Sequence, residues 1–201
     1  ELAMVRNVRV FVRSSFDPPD APQTGTGDLP PGTLICDEDE IVEKQVVTGI
    51  AYSKDEAQVS LREVLDKPGV AAAVFGPLAE SGINVDMIVQ NVSEDGTTTD
   101  MTFTVPVADY ARALKVLEDA RETIGYRSLQ GSTDLVKVSV IGMGMRSHAG
   151  VAAMAFRGLA SKGINIRAIT TSEIKISILI DSAYTELAVR TLHSLYGLDA
   201  A

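Results

Sequence analysis

The chain has 201 residues, of which 45% are hydrophobic, so it is long enough to bury one or two apolar cores. Lys and Arg total 18 against 27 Asp and Glu, and the net charge of −9 argues against nucleic acid and acidic membranes as partners. No apolar run approaches the roughly 20 residues of a membrane-spanning helix, and no signal-peptide pattern opens the chain, which favours a cytosolic protein. Cys36 is the single cysteine, which excludes an intrachain disulfide and metal sites built on thiolate pairs.

The first 40 residues resemble the end of a preceding domain followed by a linker. Residues 7–13 are predicted to form a strand with no earlier partner, so we expect a fragment or one subunit of a larger enzyme. Residues 17–32 contain five prolines and three glycines, a composition that sustains neither a ladder nor a helix. The acidic residues 37–40 follow, and residues 46–52 then have the pattern of a short strand.

The most informative feature of the chain is an internal repeat. Residues 69–85 recur 81 residues later as residues 150–166, and ten of the 17 aligned positions are identical. A period of this length is too long for a solenoid repeat, so it indicates two copies of one small domain.

The first copy is predicted to have the element order βαββαβ, the ferredoxin-like arrangement. Its first helix ends at Ser81-Gly82, a helix C-terminal signal, and Glu94-Asp95-Gly96 is typical of a hairpin turn. Apolar residues at helical spacing between Tyr110 and Ala120 predict the second helix. We expect strands at 58–61, 84–92, 99–105 and 126–129, and helices over 70–80 and 109–124.

The second copy has the same order but lacks room for a final strand. Its strands are predicted at 136–141, 164–170 and 175–180, and its helices over 151–161 and 183–196. Only five residues follow Tyr196, so residues 46–52 are the spare strand that completes the second sheet. The predicted fold class is therefore α+β: two ferredoxin-like domains, each a four-stranded antiparallel sheet with helices on one face. The first domain, residues 57–131, is inserted into the second, residues 41–56 and 132–201.

The loop that precedes the first helix has the chemistry of an amino-acid site. Pro68 and Gly69 fix a turn, and the exposed N–H groups of a helix start favour a carboxylate. Asp66 offers a partner for an ammonium group, and Asn84 and Gln90 have the same strand parity, so we expect them on one face. These groups suit a zwitterionic amino acid with a polar side chain; the alternative is an ordinary strand–helix turn with surface amides.

The second copy is not chemically equivalent at this loop. Ser147 stands where the first copy has Asp66, and His148 stands where it has Lys67. Because the carboxylate that would hold an ammonium group is missing, we predict one principal amino-acid pocket per chain.

Three parts of the sequence resemble the regulatory part of aspartate kinases, and together they cover essentially the whole chain. Residues 66–69 with 82–93 are similar to the first ACT domain of that family. Residues 165–166 with 171–174 are similar to the second. Residues 11–16 with 32–35 resemble the junction where the kinase domain ends, although the Pro-rich insert makes this linker longer than the family's.

The resemblance implies feedback control of the phosphorylation of aspartate by ATP in lysine, threonine and methionine biosynthesis. It implies a threonine pocket formed by Asp66, Gly69, Ala71, Asn84, Val85, Gln90, Asn165 and Ile166, the last two facing the others across an interface between ACT domains. It places Ser172 and Glu173 where related enzymes serve a lysine effector.

The resemblance also implies which parts of the enzyme this chain lacks and what it binds. ATP and Mg²⁺ belong to a catalytic domain upstream, so we expect no catalytic residue, no metal and no cofactor here, and no kinase activity from this chain alone. The expected partners are a second copy, in a homodimer with pockets at the interface, and the aspartate kinase catalytic domain or subunit.

Two other functions stay open at this point. A freestanding ACT-repeat regulator is the first, although the junction residues Arg13-Ser14-Ser15 argue against it. An enzyme that acts through His148 with Asp66 or Glu173 is the second. Gly142-Met143-Gly144 follows a strand but lacks the third glycine of a dinucleotide-binding loop.

Overall fold

The computed structural model describes residues 46–142 and 150–200, with Arg6, Val8 and the short stretches 10–13 and 33–35. The chain divides into two compact units, residues 1–44 and 45–201. In the first unit, β1 (Val10–Val12) pairs antiparallel with β2 (Thr33–Ile35), and β1 lies within the stretch predicted as a strand. Cys36 and the predicted linker and acidic segments lie outside the described residues.

The first domain of the second unit is a four-stranded antiparallel sheet with its helices packed on one face. Its strands, in the order β5-β6-β4-β7, are β4 (Ala57–Leu65), β5 (Asp86–Val92), β6 (Thr98–Val105) and β7 (Ser128–Ser132). Its helices are α1 (Val70–Glu80), α2 (Tyr110–Asp119) and α3 (Arg121–Ile124). Alternate residues of β4 and β6 pack against α1 and α2 in one buried core, which includes Val59, Leu61, Phe103, Val74 and Leu117.

The second domain repeats this architecture with a strand taken from upstream. Its sheet has the order β3-β8-β10-β9, with β3 (Val47–Ser53), β8 (Leu135–Gly142), β9 (Ile166–Thr171) and β10 (Lys175–Asp181). Its helices are α4 (Gly150–Ser161) and α5 (Thr185–Leu195). Because β3 pairs with β8, the spare strand completes the second sheet, and the predicted insertion of one ferredoxin-like domain into the other is confirmed.

Several elements differ in length from their predictions. The stretch 109–124 was predicted as one helix but forms α2 and α3, which meet at Ala120 where ψ is 5°. The stretch 183–196 begins with a 3₁₀ turn, Ser182–Tyr184, because the Asp181 carboxylate accepts a hydrogen bond from Ala183 N–H before α5 starts. β4 extends to Leu65 because a register shift between Leu61 and Val64 lets it continue pairing with β6.

The two domains contact each other through sheet faces that carry no helices. Met87 of β5, Leu135 of β8 and Leu179 of β10 form a buried apolar cluster, and Ala168 of β9 packs against it. Each sheet also carries one pair of hydrogen-bonded hydroxyls, Ser60 with Thr102 in the first domain and Ser139 with Ser177 in the second. The two hydroxyl oxygens of each pair are 2.9 Å apart. No helix in the described part of the chain is long and apolar enough to cross a membrane.

Gly131→Ala is expected to destabilise the first domain. A Cβ at Gly131 would lie 2.9 Å from the Gln58 carbonyl oxygen and would also clash with the Tyr110 ring, so the free energy of unfolding should fall by about 1–3 kcal/mol. Gly76→Ala is the matched control, since open space surrounds that position in α1; the propensity gain of about 0.5–1 kcal/mol is offset because a Cβ before Pro77 disfavours the helical backbone, so stability should change little. Urea denaturation of both variants measures the difference, and equal stabilities would contradict the packing described here.

Candidate functional site

One end of the first domain carries the loop between β4 and α1. Asp66 N–H donates to the Thr97 carbonyl oxygen at 3.0 Å, which holds the loop beside the β5–β6 hairpin. Gly69 has φ of 91° and ψ of −3°, a left-handed conformation that glycine adopts without strain, and α1 starts directly after it. The N–H groups of Ala71 and Ala72, in the first turn, have no backbone acceptor among the described residues. An exposed helix start next to a carboxylate is suited to a zwitterion.

The structure places four of the predicted pocket residues in this half of the domain. Asp66, Gly69 and Ala71 are exposed around the start of α1. Gln90 is also exposed and lies opposite Met101 on the edge strand β5, in the half of that strand nearer the hairpin.

Asn84 and Val85 lie at the other end of the same sheet. They precede Asp86, which pairs with Thr104, and Thr104 pairs in turn with Gln58 near the start of β4. Asp66 directly follows the other end of β4, eight residues after Gln58. At about 3.3 Å per residue, Gln58 and Asp66 are separated by roughly 25 Å. One bound amino acid therefore does not contact both Asp66 and Asn84 of the same chain.

The prediction that Asn84 and Gln90 project from one face was wrong. The strand begins only at Asp86, and its register against β6 shifts by one residue between Asp86 and Val89. Met87, inside this shift, has φ of 48°. An extra residue of this kind reverses the alternation of side chains along a strand, so equal parity does not indicate a common face.

A small acidic cavity of about 110 Å³ lies at the Asn84 end of the domain. Glu56, Asn84, Asp86 and Thr104 are among the residues that line it. The Thr104 hydroxyl is buried and has no hydrogen-bond partner within the described part of the chain. A buried hydroxyl without a partner is costly, and this one lies beside the cavity.

A lysine of the second domain reaches this end of the first domain. The Lys137 ammonium group on β8 forms ion pairs with Glu56 and with Asp86, the latter at 2.8 Å. Only 18% of the Lys137 side chain and 7% of the Glu56 side chain are exposed. The hydrogen bond from Lys137 holds the pKa of Asp86 below its ordinary value, although partial burial opposes this effect. Burial disfavours the charge of Lys137, but hydrogen bonds to Asp86 and Glu56 outweigh it and raise the Lys137 pKa.

Asn165 and Ile166 lie at the beginning of β9, not beside the Asp66 loop of the same chain. Ile166 is the first residue of β9, and Ala168 packs on the cluster that contains Met87 of the first domain. By the internal repeat Asn165 corresponds to Asn84, and each precedes a strand that enters the contact between the domains.

Ser172 and Glu173 lie in the turn between β9 and β10. Ser172 N–H donates to the Lys175 carbonyl oxygen at 2.8 Å, and the Ile174 carbonyl oxygen accepts from Gly142 N–H at 2.9 Å. The turn therefore adjoins the end of β8, from which residues 143–149 continue. Ser147 and His148 fall outside the described residues, so their predicted roles stay predictions.

The sequence did not indicate the group formed by Lys137, Glu56 and Asp86. Lys137 interrupts an apolar strand, a signal that only shows that one face of the strand carries no helix. No cluster of three or more His, Cys, Asp or Glu that could hold a metal occurs in the described ranges.

Comparison with known proteins identifies both domains. Residues 59–122 and residues 138–196 each match the ACT domain family. Aspartate kinase of Pseudomonas putida is 52% identical over 171 residues, which are 85% of this chain and 41% of that protein. The chain thus spans less than half the length of the curated relatives that it matches.

Solved structures with this architecture include both isolated regulatory subunits and whole enzymes. The ligand-free regulatory subunit of aspartate kinase from Thermus thermophilus is 42% identical, with a TM-score of 0.71 over 75% of this chain and 99% of that chain. Escherichia coli aspartokinase III in complex with lysine and aspartate, in its T-state, is 25% identical, with a TM-score of 0.71 over 97% of this chain and 40% of that chain.

Asp86→Asn is expected to change how acid affects stability. Because the Asp86 pKa is lower in the folded chain, its contribution to the free energy of unfolding is full above the unfolded value and is lost as the pH falls through the folded value. The difference in the free energy of unfolding between wild type and Asp86→Asn should therefore become smaller below about pH 4. Urea denaturation from about pH 6 to 2 measures this difference. Asp119→Asn, which removes an exposed ion pair with Lys115, is the control, and a gap independent of pH would contradict the expectation.

Proposed function

Because the chain belongs to the aspartate kinase family and forms its regulatory region of two ACT domains, we propose that it binds threonine, and also lysine, and thereby inhibits phosphorylation of aspartate by ATP. The kinase reaction belongs to a catalytic domain or subunit that supplies the ATP and Mg²⁺ sites. The observation that carries the proposal is the exposed start of α1, which follows Asp66 closely in the chain and where the N–H groups of Ala71 and Ala72 have no backbone acceptor among the described residues.

The chemistry of this end matches the groups of threonine. The threonine carboxylate would accept hydrogen bonds from the N–H groups of Ala71 and Ala72, where the helix dipole favours negative charge. The ammonium group would pair with Asp66, and the Gln90 amide on β5 would form a hydrogen bond with the threonine hydroxyl.

A second copy of the chain would complete the site. β5 and β9 are edge strands, each paired on one side only among the described residues. Ile88 of β5 is 50% exposed and Ile169 of β9 is 40% exposed, so both edges carry apolar surface. Antiparallel pairing of β5 with β9 of a second copy would bring Asn165 and Ile166 of that copy to the Asp66 end, because antiparallel strands place the start of one beside the end of the other.

Lysine would act at the equivalent end of the second domain, where Ser172 and Glu173 lie in the β9–β10 turn. The Ser172 hydroxyl oxygen is buried and has no hydrogen-bond partner within the described ranges. The lysine complex of E. coli aspartokinase III in its T-state supports an amino-acid effector for this architecture. An effector inhibits only if it binds the inhibited state more tightly than the active state.

Asp66→Asn is expected to weaken threonine binding by roughly 10- to 100-fold, because a charge-assisted hydrogen bond to the ammonium group is lost. Isothermal titration of wild type with threonine and lysine, alone and together, gives the reference affinities and a stoichiometry near one threonine per chain. Glu118→Gln, on the exposed surface of α2, is the control and should bind as wild type does. Unchanged threonine affinity in Asp66→Asn would reject the site.

The same variants test regulation when a separate catalytic subunit is added. Threonine should lower the rate of aspartate phosphorylation with wild type, and Asp66→Asn should relieve this inhibition. Threonine binding without any effect on the kinase would favour a freestanding ACT-repeat regulator. Failure of wild type to bind either amino acid at millimolar concentration would reject amino-acid sensing.

Ile88→Lys is expected to convert a dimer into a monomer. A charge on the outer edge of β5 opposes edge-to-edge pairing, and a lost dimer interface would also remove the half of the threonine site that a second copy supplies. Light scattering after size exclusion measures the mass of the particle. Tyr184→Lys, 40% exposed ahead of α5 and away from both edges, is the control. A wild type that is monomeric with threonine bound would contradict the proposal.

A further inference from the structure

The beginning of β5 is one of two strained places in the described part of the first domain, the other being Glu63 of β4 with φ of 51°. Met87 has φ of 48°, in the left-handed region that residues other than glycine rarely adopt, and it lies inside the one-residue register shift of β5. Such a conformation persists only where surrounding contacts hold it. The contacts that hold this segment therefore decide the geometry of Asn84 and Val85, which precede it.

Most of those contacts come from the second domain. The Asp86 carboxylate uses Oδ1 to accept from Met87 N–H at 2.8 Å and Oδ2 to accept from Lys137 Nζ, also at 2.8 Å. The same ammonium group pairs with the buried carboxylate of Glu56, immediately before β4. The Met87 side chain is 3% exposed and packs on Leu135 and Leu179, both of the second domain.

The segment also borders a cavity, which adjoins the ion pair. The acidic cavity is lined by Asn84, Val85, Asp86 and Glu56, and the buried Thr104 hydroxyl beside it has no partner within the described ranges. A segment that is held by an ion pair beside an open cavity has room to rearrange if that ion pair is weakened.

We propose that Lys137 is a positioning residue through which the second ACT domain sets the conformation of the β5 start in the first. Lys137 orients Asp86, Asp86 fixes the Met87 N–H, and this chain of contacts determines where Asn84 and Val85 lie. The proposal rests on the function proposed above in one respect: if Asn84 and Val85 contact an effector, Lys137 links that contact to the second domain.

The test uses the whole chain with Lys137 and Glu56 changed together. In Lys137→Met/Glu56→Gln the cation and the buried carboxylate disappear at once, so no buried charge is left unpaired and folding is preserved. Arg62→Met is the matched control, because it removes an ion pair with Asp100 that lies within the first domain. Amide hydrogen exchange is followed in residues 84–92, with residues 110–119 and 150–161, in helices not paired with β5, as internal references.

Exchange in residues 84–92 should become about tenfold faster or more in the double variant, and stay unchanged in Arg62→Met. The two reference segments should keep their protection in both variants. Unchanged exchange in residues 84–92 would overturn the proposal. A uniform increase across all three segments would overturn it as well, since it would show a general loss of stability instead of a local role.

Titration with threonine and with lysine then tests the link to effector binding. The affinity of the double variant for at least one of them should fall by roughly fivefold or more, the lower range of measured couplings between sites, with stoichiometry unchanged. Wild-type affinities for both, together with faster exchange in residues 84–92, would reject the link. If wild type binds neither amino acid, the proposed function fails, while the exchange result alone still decides the positioning role of Lys137.

Discussion

The fold depends on one ladder, the antiparallel pairing of β3 with β8. The second repeat supplies three strands, β8, β9 and β10, and a ferredoxin-like sheet needs a fourth beside its first strand. β3 supplies it from upstream of the first domain, and the whole first domain is therefore enclosed between two adjacent strands of the second sheet. Both domains lie in the compact unit 45–201, joined by this insertion and by the buried contact of Met87 with Leu135 and Leu179.

In this arrangement the helix-free faces of the two sheets lie against each other. Both of these faces carry polar side chains. Paired serine and threonine hydroxyls satisfy one another within each sheet, and Lys137 joins the sheets by an ion pair with Asp86, supported by a second pair with Glu56 in the connection between the domains. A buried ion pair contributes little net stability because desolvation offsets the attraction, but removal of one partner is strongly destabilising. The ion pairs of Lys137 therefore fix how the two domains are arranged more than they raise the free energy of unfolding.

The fold could be predicted from the sequence because the sequence patterns that indicate it are local and occur twice. The repeat of residues 69–85 revealed two domains, and the strand pattern of residues 46–52, outside both copies, indicated the fourth strand of the second sheet. The face assignment of Asn84 and Gln90 failed because a bulge depends on how a strand pairs, which its own residues do not record. Lys137 was missed for a related reason, since its partners Glu56 and Asp86 are distant in sequence, Asp86 in the other domain, and only the tertiary fold brings them together.

The most consequential result for function is that the candidate residues divide between the two ends of a sheet. Asp66, Gly69 and Ala71 surround the start of α1, whereas Asn84 and Val85 lie at the opposite end of that sheet, and Asn165 and Ile166 lie at the corresponding end of the second sheet. A single small ligand does not bridge such a distance, so residues from both ends share a ligand only if two chains contribute one end each. Effector affinity would then be linked to association, because a ligand that contacts both copies stabilises the dimer by mass action. Regulation by this chain would in that case act through the geometry of the dimer, which the contact at Lys137 helps to set within each copy.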